Sequence, residues 1–162
     1  MYYYAYGSNM SSRRLAARVA GARRLGALAL AGYQLRFHKV GQDGSGKCDA
    51  FYTGDPRHRL WGALYWIDDL AKATLDRIEG VGQGYCHRSL LLPGEGAPTA
   101  FLYVATRHDF SLQPFDWYQA HVLQGARELG LPLSYQAQIA QTPSVEDPDA
   151  ERRDRQQAIH RA

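Results

Sequence analysis

Cysteine is scarce in this sequence. Its two thiols, Cys48 and Cys86, stand far apart and form no C-x-x-C pair. A disulfide scaffold and a thiolate zinc site are therefore excluded as organising features. Closely spaced histidine pairs are missing too. His38, His58, His87, His108, His121 and His160 fall in no H-x-H or H-x-x-x-H pattern, so no structural or catalytic metal is expected. No apolar run approaches the ~20 residues that cross a bilayer. The opening Met1-Tyr2-Tyr3-Tyr4-Ala5-Tyr6 lacks the basic region and long apolar run of a secretion signal. A cytoplasmic protein with no membrane partner is the expectation. A dense basic stripe is also absent. The net charge is +3, and residues 144–162 hold five acids and four arginines, which leaves +4 on the rest. That excess suits a small anionic substrate, and no nucleic-acid partner is expected.

Hydrophobic residues make up 45% of the 162 positions, enough for the core of one domain. Residues 1–141 are read as that domain. Residues 142–162 are polar and charged, and are expected to form a flexible tail with at most some helix. Tyr2 to Tyr6 is rich in β-formers and reads as a first strand. Gly7-Ser8-Asn9 breaks it, and Ser11 or Ser12 can cap a short helix from Arg13 to Val19. Leu25–Ala31 and Tyr33–Val40 alternate like strands. Cys48–Thr53 and Leu60–Ile67 look like a hairpin joined through residues 54–58. Asp68 or Asp69 caps a helix to about Glu79, with Leu70, Ala71, Leu75 and Ile78 at helical spacing. Tyr85–Leu92 and Thr99–Ala105 read as strands around a Pro93–Gly96 turn. A helix from Pro114 to Leu129 follows, with a shorter one from near Pro132. The order predicts an α+β fold: a small mixed or antiparallel barrel-like sheet with flanking helices.

Four features bear on chemistry. Tyr6-Gly7-Ser8-Asn9 lies between a strand end and a helix start, where free backbone N–H groups can hold a carboxylate or a polarised carbonyl oxygen. An ordinary tight turn with an N-cap fits the same residues. Ser8 misses the G-x-S-x-G elbow and has no evident histidine base, which weakens a Ser-His hydrolase. The second feature is Glu79, at the C-terminal end of an amphipathic helix beside Gly80, Gly82 and Gly84. The helix dipole and partial burial both disfavour an ionised carboxylate there, which suits a general acid/base. A solvated glutamate is the plain alternative, and Asp76 is read as a surface partner of Lys72. The third feature, Asp43-Gly44-Ser45-Gly46-Lys47, superficially resembles a phosphate loop. Cys48 follows Lys47 where that motif needs Ser or Thr, so nucleotide binding is not expected. Fourth, eleven tyrosines and three tryptophans could stack on bases, but without basic runs nearby they read as half-buried residues of a β-rich domain.

Tyr4-Ala5-Tyr6-Gly7-Ser8-Asn9, Leu60-Trp61-Gly62-Ala63-Leu64-Tyr65, Leu75-Asp76-Arg77-Ile78-Glu79-Gly80-Val81 and Gly125-Ala126-Arg127-Glu128-Leu129-Gly130-Leu131-Pro132-Leu133-Ser134-Tyr135 together resemble the gamma-glutamylcyclotransferase family. The resemblance runs from Tyr2 to about Gln141. It implies an enzyme that closes a γ-glutamyl group on itself, giving 5-oxoproline and a free amine with no metal or organic cofactor. Glu79 matches the family's catalytic glutamate. Tyr3, Tyr4, Ala5, Tyr6, Gly7, Ser8 and Asn9 match its substrate-binding loop region, with Tyr135 and Tyr118 as further binding tyrosines. The resemblance implies a small γ-glutamyl compound as partner, and a homodimer stays open. A non-catalytic module that binds a small carboxylate on the same fold is the alternative.

Overall fold

The computed structural model describes residues 1–93 and 95–161. The chain forms β1 (Tyr2–Ala5), a 3₁₀ turn (Ser8–Met10), α1 (Ser12–Ala16), β2 (Arg23–Ala31), β3 (Tyr33–Val40), β4 (Gly46–Tyr52), β5 (Arg59–Trp66), α2 (Asp69–Glu79), β6 (Tyr85–Leu91), β7 (Thr99–Ala105), α3 (Asp116–Glu128), α4 (Leu133–Ala140) and α5 (Ala150–Ala158). A five-stranded sheet runs β2-β5-β1-β7-β6, and β3-β4 make a separate two-stranded sheet. The β1/β7 pair is parallel and the other pairs are antiparallel. The α+β class is as expected, with a mixed sheet. Among the described residues, however, no barrel closes.

The short first strand is central because both its faces are covered. Side chains alternate along a strand, so Tyr3 and Ala5 enter one core layer while Tyr4 and Tyr6 enter the other. Tyr4 is fully buried and its hydroxyl donates to the carbonyl of Leu60 at 2.8 Å, which satisfies a phenol that burial would otherwise penalise.

Two expectations are corrected. The Cys48–Thr53 and Leu60–Ile67 segments do not pair with each other. β4 pairs with β3, and β5 lies between β1 and β2. Local composition marks a turn at residues 54–58, but only the sheet decides which strands share a ladder. The glycine-rich segment from Gly41 to Gly46 is therefore the hairpin connection between β3 and β4. No helix follows it, so it lacks the strand-to-helix setting of a phosphate loop. The Pro93–Gly96 turn includes Gly94, which lies outside the described residues.

The second correction concerns residues 142–161. This stretch is built onto α3 and carries α5, whose start is capped by Asp149 accepting from Arg152 N–H. Asp147 is fully buried, accepts from Trp117 Nε1 at 2.7 Å and pairs with Arg152 at 2.5 Å. The polar composition misled because the segment is held by charge-assisted hydrogen bonds, which need no apolar side chains. No helix among the described residues is long and apolar enough to cross a membrane.

One contact here carries a pH prediction. His121 of α3 is buried, lies 2.6 Å from His160 and meets Gln156 at 3.2 Å. Burial and the nearby Arg14 push its pKa down to about 3. Because the folded value lies below the unfolded one, the contribution is fully present above pH about 6.5 and is lost as pH falls towards 3. Thermal unfolding should show stability falling with acid by up to about 1.4 kcal/mol per pH unit from this group. In His121→Gln that slope should flatten. An unchanged slope would mean that His121 is not held neutral.

Candidate active site

β1 delivers the chain to the end of the central strands, and Gly7 turns it into the 3₁₀ turn. A β-carbon on Gly7 would lie 2.9 Å from Cys48 Cβ, so only glycine lets β4 approach this closely. Met10 N–H bonds back to the carbonyl of Gly7. The N–H groups that open such a turn have no partner within it and point outward. Two outside supports fix the turn. Tyr65 donates its hydroxyl to the carbonyl of Met10 at 3.0 Å. From the other side, Gly125 of α3 packs directly on Met10 and Ser11.

Opposite the turn stands Glu79, the last residue of α2. Asp68 caps that helix at its start, and Gly80 ends it with φ +69°, a left-handed conformation that glycine adopts freely. Leu75 and Ala71 are buried and anchor the helix on the sheet. The Glu79 side chain is 17% exposed. Its Oε1 accepts from Asn9 Nδ2 at 3.0 Å and from Arg18 Nη1 at 2.7 Å. Arg18 also donates to Asn9 Oδ1, and Asn9 Nδ2 donates to the Tyr3 hydroxyl at 2.9 Å. Both donors fall on the same carboxylate oxygen. Among the described residues, Oε2 has no hydrogen-bond partner and remains available to a ligand.

Between turn and carboxylate lies a narrow cleft lined by Tyr3, Tyr6, Gly7, Ser8, Asn9, Cys48, Glu79, Tyr85 and Tyr103. Its walls are held by buried tyrosines. Tyr6 donates to the carbonyl of Tyr103 and Tyr85 to that of Cys48, each at 2.5 Å. Burial pushes the Cys48 thiol up to about 12, so it stays protonated at neutral pH and is a poor nucleophile. The cleft opens into an outer basin that shares Ser8, Glu79 and Tyr85 and adds Arg14, Arg18, Lys39, Asp43, Lys47 and Tyr118.

The structure thus brings Tyr3, Tyr6, Gly7, Ser8, Asn9 and Glu79 together. Tyr118 stands at the outer basin, where its hydroxyl accepts from Cys48 N–H at 3.1 Å. Tyr4 and Ala5 are not at the cleft: both are buried in core clusters behind it. Tyr135 is not there either. Its hydroxyl meets Trp61 N–H at 3.3 Å, and it lines a different depression with Pro132 and Arg59. Asp76 pairs with Lys72 as expected, but it also accepts from the hydroxyl of Tyr103 at 2.7 Å, which ties α2 to a wall of the cleft.

Sequence reading missed Arg18, Lys39, Cys48, Tyr85 and Tyr103. Lys39 carried a legible signal: it follows Leu35 and Phe37 in alternation, a lysine on an inward strand position. Arg18 carried none, because its partner lies 61 positions away.

The chain belongs to the AIG2-like family, whose pattern matches residues 59–139. That span includes three of the four segments on which the resemblance rests. Within that grouping its similarity is to gamma-glutamylcyclotransferases. It is 27% identical over 147 residues to the gamma-glutamylcyclotransferase of Bos taurus, which covers 85% of this chain and 76% of the relative. The corresponding Homo sapiens protein is 28% identical over 144 residues, with the same shares covered. A solved structure of a gamma-glutamyl cyclotransferase superposes with a TM-score of 0.81 at 24% identity, covering 98% of both chains, which establishes the fold.

Proposed function

We propose that this protein cyclises a γ-glutamyl amide to 5-oxoproline and releases the attached amine, with Glu79 as general acid and base. The observation that carries the reading is the anchoring of Glu79: Oε1 is fixed by Asn9 and Arg18 while Oε2, with no partner among the described residues, stands across the cleft from the Gly7-Ser8 turn.

The chemistry follows from the substrate. Free α-amines titrate near pH ~8, so most are ammonium at neutral pH and cannot attack. Glu79 Oε2 takes one proton, the amine nitrogen attacks its own γ-carbonyl carbon, and a ring C–N bond forms. The carbonyl oxygen becomes negative, and the N–H groups of the Gly7–Asn9 turn receive it, each donor contributing about 3 kcal/mol in comparable sites. Glu79 then protonates the amide nitrogen as its C–N bond breaks. Two protons leave the α-nitrogen and two reach the departing nitrogen, so the carboxylate acts twice and returns to its starting state. No electrons are exchanged. The closure is intramolecular, so holding the chain folded in a narrow cleft supplies much of the acceleration.

The outer basin bears on the leaving half. Its two acids are already engaged, Asp43 with Lys47 at 2.7 Å and Glu79 with Arg18. Arg14 and Lys39 are buried and have no acidic partner among the described residues. Burial pulls the Lys39 ammonium below its usual range and the Arg14 guanidinium down to about 9. Lys39 Nζ rests over the Tyr85 ring at 4.5 Å. Two desolvated cations beside the scissile bond favour a leaving half that brings a carboxylate, as in a γ-glutamyl amino acid, over a γ-glutamyl alkylamine.

The test is direct. Purified protein incubated with a γ-glutamyl amino acid should release 5-oxoproline; stabilisation by that compound with no product on long incubation would instead make it a binding module. In Lys39→Met, KM for the amino-acid conjugate should rise about 10- to 100-fold, the loss of one charged hydrogen bond. The γ-glutamyl alkylamine should be turned over unchanged. Equal losses on both substrates would remove the role given to Lys39.

A further inference from the structure

Behind the cleft, on the far side of β4 from the glutamate, three side chains converge that the proposed reaction does not use. His38 of β3 and Asp49 of β4 are almost fully buried, and His108 follows β7. His38 Nε2 lies 3.0 Å from Asp49 Oδ2 and His108 Nε2 lies 3.2 Å from the same oxygen. All three ligand atoms lie within 4.8 Å of one another. We propose that His38, Asp49 and His108 form a binding site for a first-row divalent transition ion of the zinc type.

The donor chemistry fits. Two imidazole nitrogens and one carboxylate oxygen are a common protein set for such an ion, with the remaining position left to water. At zinc bond lengths of ~2.0–2.1 Å, neighbouring ligands of a tetrahedron sit about 3.3 Å apart. The two imidazole-to-carboxylate separations are close to that edge, so modest adjustment opens the triangle enough to admit the ion. Entry is available because the His108 side chain is 35% exposed.

The site is also preorganised. Asp49 Oδ1 accepts from Ala105 N–H at 2.8 Å, which turns Oδ2 towards the histidines. The β3/β4 register shifts between Arg36 and Lys39, and such an irregularity re-aims side chains. Here His38 and its neighbour Lys39 are both buried. The segment carrying His108 is pinned to β3 by Asp109 N–H on the His38 carbonyl and Val40 N–H on the Arg107 carbonyl. Phe51 and Phe110 stand edge-on to the His38 ring at 5.4 and 4.8 Å, an apolar collar that includes the otherwise unexplained exposed Phe110. A bound ion would clip the β3–β4 hairpin to the end of β7, beside Cys48 of the cleft wall.

The rival arrangement is a plain network, in which both imidazoles donate N–H to Asp49 and no ion enters. Protein stripped with a chelator and titrated with Zn²⁺ in a calorimeter separates the two. The expected result is saturable binding of one ion, with a Tm rise of about 5–10 °C at a hundredfold excess over Kd. Co²⁺ should give the intense visible bands of a tetrahedral nitrogen and oxygen site. His108→Ala, at a partly exposed position, should weaken binding by more than the roughly 10- to 100-fold that losing an outer partner costs. Asp49→Asn should do the same, and His58→Ala should change nothing. Absence of saturable binding, or binding that survives His108→Ala, overturns the proposal in favour of the hydrogen-bonded network. These readouts do not depend on 5-oxoproline formation, so failure of one reading leaves the other intact.

Discussion

Glu79→Gln is expected to lower 5-oxoproline formation by about 10⁴-fold, the upper end of what a general acid/base contributes, because the same carboxyl acts at both nitrogens. The substitution is nearly isosteric. The amide oxygen of glutamine can still accept from Asn9 and Arg18, the two donors that position the side chain. Folding should therefore survive, and the Tm should move little. Substrate should still bind, since the turn, the tyrosine walls and the outer cations are untouched. The loss should consequently appear in kcat rather than KM. Measuring turnover and thermal unfolding on the same preparation checks both halves. Retention of more than about a tenth of the wild-type rate, against the losses expected for an acid/base, would remove Glu79 from the mechanism.

A second large effect is expected from a residue that touches no substrate. Gly125 lies inside α3, where replacing glycine by alanine normally stabilises a helix by about 1 kcal/mol. Here the added carbon would sit 2.5 Å from Met10 Cβ and from Ser11 N, and 2.7 Å from the Met10 carbonyl carbon. Two of these three are backbone atoms, so no rotamer change relieves the clash. Overpacking of this kind costs about 1–3 kcal/mol, and a backbone obstacle puts it at the upper end. The cost wins. Gly125→Ala should be destabilised by about 2 kcal/mol, lowering Tm by about 4–8 °C for a chain of this size. The relief must come from moving the 3₁₀ turn, and with it Gly7, Ser8 and Asn9. A displacement near 1 Å at reacting groups costs about 100-fold in rate, so kcat/KM should fall by that order although Gly125 is outside the cleft. A variant more stable than wild type would show that the approach of α3 does not hold the turn.

These two residues show how differently site information is stored along the chain. Glu79 was legible because α2 is amphipathic, capped by Asp68 and closed by Gly80, all local signals. Its setting was not. The sequence placed the glutamate at a helix end beside glycines, and Arg18 and Asn9 converge on it from the other side of the cleft. Gly125 appeared only as one letter of a longer resemblance, and its purpose lies in a contact with Met10 and Ser11 near the other end of the chain. The run from Tyr3 to Asn9 was identified as a unit, although strand alternation already divides it. Tyr3 faces the cleft, whereas Tyr4 is turned into the opposite core layer. Tyr135 matched a pattern but sits against Trp61, since a motif carries identity and spacing without orientation.

By itself, the sequence determined the α+β class, most element positions, the family, and the pairing of a helix-end carboxylate with a glycine turn. Those depend on short-range physics: periodicity, capping, and the residue types a break demands. The tertiary structure alone decided that β4 joins β3 rather than β5 and that the polar C-terminal stretch is held on α3 by hydrogen bonds from Trp117 and His121. It also decided that Lys39 and Arg14 are buried with no acidic partner among the described residues, and that His38, Asp49 and His108 meet. Each of these depends on which segments meet in three dimensions, and their local sequences are compatible with several partners, so only the assembled sheets and their packing select one.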